Sequence, residues 1–158
     1  MKLNLVITIM TLFSCKIILG QIDSNKTFLA SKGTWRLPVS KGFILKSNFE
    51  DNGNKSIIFI ADSATTVNTV FNGTVVLVTK YDDVYMIVIK YGNYFIGYSN
   101  LGGCTVKKGD KVKTGDVIAY VGKDIDERFG IDFVLSDGSN ELDAISWFSQ
   151  TASIKPYQ

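Results

Sequence analysis

The sequence predicts a small, all-β, antiparallel domain, and three observations carry that expectation. Apolar runs of strand length follow one another from residue 56 to residue 98, with turn signals every 7–12 residues. No window of 11 or more residues shows a convincing helical face. Between residues 106 and 116 a five-residue unit occurs twice at a spacing of six, Val106-Lys107-Lys108-Gly109-Asp110 and then Val112-Lys113-Thr114-Gly115-Asp116. Each unit pairs an inward-type valine with a Gly-Asp step suited to a tight turn, so the chain reverses twice within about a dozen residues.

The 158 residues are enough for one domain with a real core. Residues 1–20 carry Lys2 and Lys16, no acid, an apolar centre and small residues near the end, the pattern of a secretory signal. Lys16 interrupts the run and makes it a poor membrane span. Cleavage after Gly20 would leave Gln21 first, whereas Leu12-Phe13-Ser14-Cys15 is similar to a bacterial lipoprotein box with Cys15 as the acylated residue. Either route exports the protein to the periplasm or cell surface, and a lipid on Cys15 would be its membrane contact. Without residues 1–20, 15 basic residues face 15 acidic ones, and no basic stripe points to nucleic acid.

Residues 21–33 are polar and mixed and read as a tether. The ordered domain is expected over 34–149, with a tail over 150–158. Pro38 excludes a central strand at the domain's opening, and Phe43-Ile44-Leu45 is a short strand. Asn48 to Lys55, rich in Asn, Asp and Gly, is a loop. Ser56–Ala61 is continuously apolar and hence a strand buried on both faces; Thr65–Phe71 is the next. Asn72-Gly73 signals a hairpin into Thr74–Lys80. Asp82-Asp83 turns the chain into Val84–Tyr91, and Gly92-Asn93 into Tyr94–Tyr98. These strands are expected to pair mainly with their sequence neighbours. Val117–Val121 is a buried strand, Lys123–Arg128 a charged loop and Phe129–Leu135 the last strand. Near Trp147 one helical turn is expected, capped by Asp143.

The chain has no histidine. Ser-His and Cys-His nucleophilic catalysis are excluded, as is every metal site that needs imidazole. Cys104 lacks a neighbouring base and reads as a quiet cysteine at a strand start. Asp124, Asp126 and Glu127 form an acidic cluster without the alternate spacing of a calcium loop, so a solvated loop is the expected reading. The abundant tyrosines suit either a glycan or protein face, or cross-strand pairing; pairing is expected for most of them.

The ordered part resembles the lysostaphin-type (LytM-like) zinc endopeptidases of bacterial cell walls, and more closely their non-hydrolytic members, the murein hydrolase activators. The resemblance spans roughly Thr34 to Phe148. It rests on Trp35-Arg36-Leu37-Pro38-Val39, on Val67 to Val75, on Tyr98-Ser99-Asn100-Leu101 with the double turn up to Gly122, and on Asp143 with Trp147-Phe148. It implies a small antiparallel barrel-sandwich hybrid (a duplicated hybrid motif) with a short C-terminal helical turn. In the family a His-x-x-x-Asp pair and the second histidine of His-x-His hold zinc, and two further histidines assist catalysis. Those positions fall here on Asn54, Ile58, Asn100, Gly130 and Asp132. The resemblance therefore implies a degenerate scaffold with no metal, no cofactor and no catalytic residue. Asn54, Tyr98, Asn100 and Asp132 would line a binding groove, and the partner would be an amidase-like cell-wall hydrolase or peptidoglycan. Two alternatives remain open at this point. One is a zinc-independent or residual peptidoglycan hydrolase using carboxylates of the 124–132 region. The other is a biotinyl or lipoyl carrier domain, which shares the Gly-Asp double turn; Lys80 lies near a hairpin tip but lacks the flanking residues of an acceptor lysine.

Overall fold

A computed structural model of the chain describes residues 23–46, 55–124, 127–149 and 154–156. The signal segment with Cys15, and Asn54 in the 48–55 loop, lie outside them.

Among the described residues, ten strands form one curled, mostly antiparallel sheet: β1 (Gly42–Lys46), β2 (Ile57–Ala61), β3 (Thr66–Asn68), β4 (Gly73–Tyr81), β5 (Val84–Tyr91), β6 (Tyr94–Cys104), β7 (Lys111–Val112), β8 (Val117–Lys123), β9 (Phe129–Ser136) and β10 (Ile154–Pro156). The lateral order is β10-β1-β2-β9-β8-β6-β5-β4-β7, with β3 on β8 and a further pairing of β9 with β6. The all-β expectation holds, and β5 has the bounds that the sequence predicted. β2 has only Ile58 short of full burial, so its unbroken apolar run does reflect cover on both faces.

Four expectations are corrected. Neighbour pairing holds for β1–β2, β4–β5, β5–β6 and β8–β9, but the centre of the sheet is also non-local: β9 pairs with β2 and β6, and β6 with β8. The Asn72-Gly73 step is not a hairpin. The expected strand 65–71 is shortened to β3, which pairs with β8 instead of β4. The reason lies in the second Gly-Asp turn: Thr69 N–H donates to Asp116 O (2.9 Å), and Gly115 N–H donates to Thr69 O (2.8 Å). Asn72 Oδ1 accepts from Thr114 N (2.9 Å), so its side chain is engaged with that turn. Both Gly-Asp turns form as expected. Gly109 and Gly115 take positive φ, and Asp110 and Asp116 accept from the backbone N–H three residues earlier, Lys107 and Lys113.

The other two corrections concern the chain ends. Residues 23–30, expected within a polar tether, form a helix. Phe28 is the reason: it is fully buried, stacked on Tyr94 (centroids 4.1 Å apart) and close to Trp147 and Phe71 (4.8 and 5.0 Å). The C-terminal stretch, expected as a tail, contributes β10, which pairs in parallel with β1.

The core lies under one face of the sheet, where Ile87, Ile89, Ile96, Tyr98, Ile131, Phe133 and Leu135 are fully buried. Rings tie the chain ends to it. Trp35 packs on Trp147 and Phe148, and its backbone N–H donates to Trp147 O (3.0 Å). The 3-10 turn Ala144–Trp147 is capped as expected, with Asp143 Oδ1 accepting from Ile145 N (3.2 Å).

Candidate functional site

Where β2, β9 and β6 run side by side, the singled-out residues meet on the face opposite the core. Ile58 is paired directly with Asp132, and Asp132 with Ser99, so the three form one row across three strands. Two residues along, Ile60 is paired with Gly130, and Gly130 with Gly122 on β8. The four described positions, Ile58, Asn100, Gly130 and Asp132, thus come together from three strands distant in sequence.

Asn100 sits in a bulge of β6 against β5 at φ 56°, a left-handed conformation that asparagine tolerates better than most residues. Its Nδ2 donates to Gly130 O (3.1 Å) and ties the bulge to β9. Gly122 faces the bulge at close range: a Cβ there would collide with Asn100 O. Gly130 is closed off in the same way. A Cβ on it would stand 2.8 Å from Phe59 O and 3.2 Å from Ile60 Cδ1, inside normal contact distance. β2 thus occupies the place that a side chain at 130 would use.

Asp132 is half-buried, and its carboxylate makes no hydrogen bond among the described residues. Its carboxyl is pushed above the usual carboxylate range, first by burial and then by the Asp124 carboxylate. Asp124 is engaged elsewhere: it accepts from Arg128 Nε (2.8 Å) and from Arg128 N (2.9 Å). Glu127 pairs with Lys123 (2.7 Å). The described part of the acidic cluster thus closes its own loop; Asp126 lies outside the described residues.

Tyr98 borders the depression described below, but not through its ring. Its ring lies on the core side, fully buried, and its hydroxyl accepts from Val70 N (3.0 Å). Burial pushes the phenol up to about 12, partly offset by hydrogen bonds with Thr69 and Val70. A side chain so placed holds the core together and cannot line a groove with its ring. Cys104 is half-buried, ends β6 and pairs with Ala119. Lys80, the carrier candidate, stands one residue before the tip of the β4–β5 hairpin, folded over the Tyr85 ring at 5.6 Å.

The groove itself escaped the sequence. Beside Ser99 and Asp132, on the same face, lies an open, almost wholly apolar depression lined by Met86, Val88, Phe95, Gly97, Val134 and Ser136. The signal was period-2 alternation in β5 and β9, where Ile87, Ile89, Ile131 and Phe133 point to the core and the residues between them to this face. Uninterrupted apolar runs concealed it.

The pattern of Peptidase family M23 matches residues 52–143, more than half of the chain, and the chain belongs to that family. Its fold is also that of solved structures. A chain of the SpoIIQ–SpoIIIAH pore-forming complex superposes with a TM-score of 0.58 at 19% identity, covering 75% of this chain and 93% of that one. Csd3 of Helicobacter pylori gives 0.61 at 17%, covering 78% and 37%. Lysostaphin of Staphylococcus simulans gives 0.51 at 19%, covering 72% and 49%. The chain thus spans about half of lysostaphin and over a third of Csd3.

Zinc does not fit this donor set. A catalytic zinc takes about three nitrogen, sulfur or carboxylate ligands and leaves one position open. Here Ile58 offers an aliphatic chain, Gly130 offers nothing and has no room for more, and the Asn100 amide is bonded to backbone. Asp132 is the one anionic donor of the four. Among the described residues, no group of three or more His, Cys, Asp or Glu side chains is placed to hold a metal. A single carboxylate is too little to fix a metal and activate a water on it.

Proposed function

We propose that the chain is an exported, non-catalytic M23 domain that works by binding a cell-wall hydrolase of the amidase kind or peptidoglycan, and so regulates cell-wall remodelling. The observation that carries this reading is Gly130. The position aligned with a catalytic histidine has no side chain, and the backbone of β2 occupies the space one would need. By the family resemblance Asn54, Asn100 and Asp132 would line the former cleft, and the apolar groove beside Ser99 is a surface a partner could use. The SpoIIQ neighbour supports binding as the kind of activity, since its structure is of a complex with another protein. Export rests on residues 1–20 and on the family. Among the described residues, no helix is long and apolar enough to cross a membrane.

Co-sedimentation with purified peptidoglycan, and stimulation of amidase activity in envelope extract, test the proposal. Binding in one of the two assays, lost when the groove is filled by Gly97→Trp, is the expected result. Gly97 suits this change because a Cβ there meets nothing closer than 3.8 Å. No binding in either assay would contradict the reading.

A further inference from the structure

The second face of interest is an edge. β4 pairs along its length with β5 on one side, from Thr74 to Tyr81. On its other side β7 covers only Gly73 and Thr74. Val75 is then bonded to the first Gly-Asp turn, donating to Asp110 O (2.8 Å) and accepting from Gly109 N (2.8 Å). From residue 76 to residue 81 no described strand lies against that edge. An unpaired row of backbone groups is a template for another strand.

The edge is apolar in its outward character and two-signed in its charge. Leu77 (40% exposed) and Tyr81 (77%) lie on the same face as Met86 (41%), because directly opposed residues share a face: Leu77 faces Val88, Thr79 faces Met86 and Tyr81 faces Val84. This is the face that carries the apolar groove. Lys80, the residue that could guard such an edge, is folded back toward its own chain, over Tyr85 and 3.9 Å from Asp83. Exposed Lys107 and Lys108 flank one end of the free stretch, in the turn that binds Val75; exposed Asp82 and Asp83 form the other end, at the hairpin tip. A strand laid antiparallel along this edge that carried the same ends would put acid beside base at both.

We propose that this edge is a dimerisation site, at which a second copy of the chain adds its own β4 antiparallel to the first, with the two-fold axis at Thr79. The register follows from the ladder. The two-residue turn closes on the Tyr81–Val84 pair, so Tyr81, Thr79 and Leu77 bond toward β5, while Val78 and Lys80 turn their N–H and C=O groups outward. Val78 then exchanges both bonds with Lys80 of the second copy. Leu77 lies opposite Tyr81 of the second copy, so the two exposed apolar side chains cover each other. Asp83 comes to rest near Lys107 and Lys108 of the second copy. Sliding two residues one way sets the two Lys80 side chains directly opposite, which like charge disfavours. Sliding two residues the other way brings Tyr81 to the side of Val75 that Gly109 and Asp110 already fill. One register remains.

The test is sedimentation of the purified protein over a wide concentration range, together with cysteine cross-linking. A monomer–dimer equilibrium is expected. Thr79→Cys sits on the axis and should form an intermolecular disulfide on mild oxidation far faster than Ser139→Cys, an exposed position away from the edge. Asp83→Lys, at a fully exposed side chain, should weaken association about tenfold through its two symmetric contacts. Adding Lys108→Asp to it should restore association. A monomer at every concentration, or cross-linking of Thr79→Cys no faster than that of Ser139→Cys, would overturn the proposal.

Discussion

Gly130 and Asp132 stand two residues apart on β9, and each constrains a different property. At Gly130 a methyl group must displace either the Phe59 carbonyl or the Ile60 side chain. Overpacking of this kind costs about 1–3 kcal/mol, so Gly130→Ala should lower the midpoint of thermal or chemical unfolding by that measure. Asp132 acts through its charge. Its folded carboxyl titrates above the unfolded value, so between the two values the folded chain holds more protons than the unfolded one. Its contribution to stability is complete below the unfolded value and is lost as pH rises through the folded one. Asp132→Asn should therefore unfold at a higher temperature than the parent at neutral pH, and the advantage should vanish in acid. Denaturation curves at two pH values check this. In the sequence Asp132 stands where the resemblance expects a zinc-binding histidine, and Gly130 where it expects a catalytic one. Their physical states were not legible there, because closure by Phe59 and burial beside Asp124 come from segments brought together only by the fold.

At the scale of elements, the helix at residues 23–30 is tied to the core through one ring. It inserts Phe28 among Tyr94, Trp147, Trp35, Phe71 and Tyr91. Truncating such a ring in a full core costs about 3–5 kcal/mol. Phe28→Ala should thus destabilise the whole domain, although Phe28 precedes the boundary that composition suggested. Calorimetry decides it: unfolding as one unit at a much lower temperature is expected, and an unchanged midpoint would show that the helix is dispensable. The reason the sequence hid this helix is its length. Eight described residues with one buried ring carry no periodicity. The turns were legible for the opposite reason: Gly-Asp, Asp-Asp and Gly-Asn steps act through local backbone chemistry. Asn72-Gly73 used the same local signal and misled, since the Asn72 side chain found a tertiary partner at Thr114 that no local rule contains.

For the whole molecule, the chain has the fold of the M23 family but no histidine, and the described residues at the positions the resemblance singles out are not a zinc donor set. The strand order brings Ile58, Asp132, Gly130 and Asn100 together and then offers a metal almost nothing. Family and fold class were readable from short motifs in a fixed order. The groove and the open β4 edge were not, because they arise from which strands end beside which. Binding without catalysis is the central claim for this domain. It is tested most directly by equilibrating the purified protein with excess zinc, removing free metal, and then measuring both retained zinc and release of soluble fragments from peptidoglycan. The expected result is no stoichiometric zinc and no release beyond that of buffer. One tightly held zinc per chain, with peptidoglycan digestion abolished by a chelator, would contradict it.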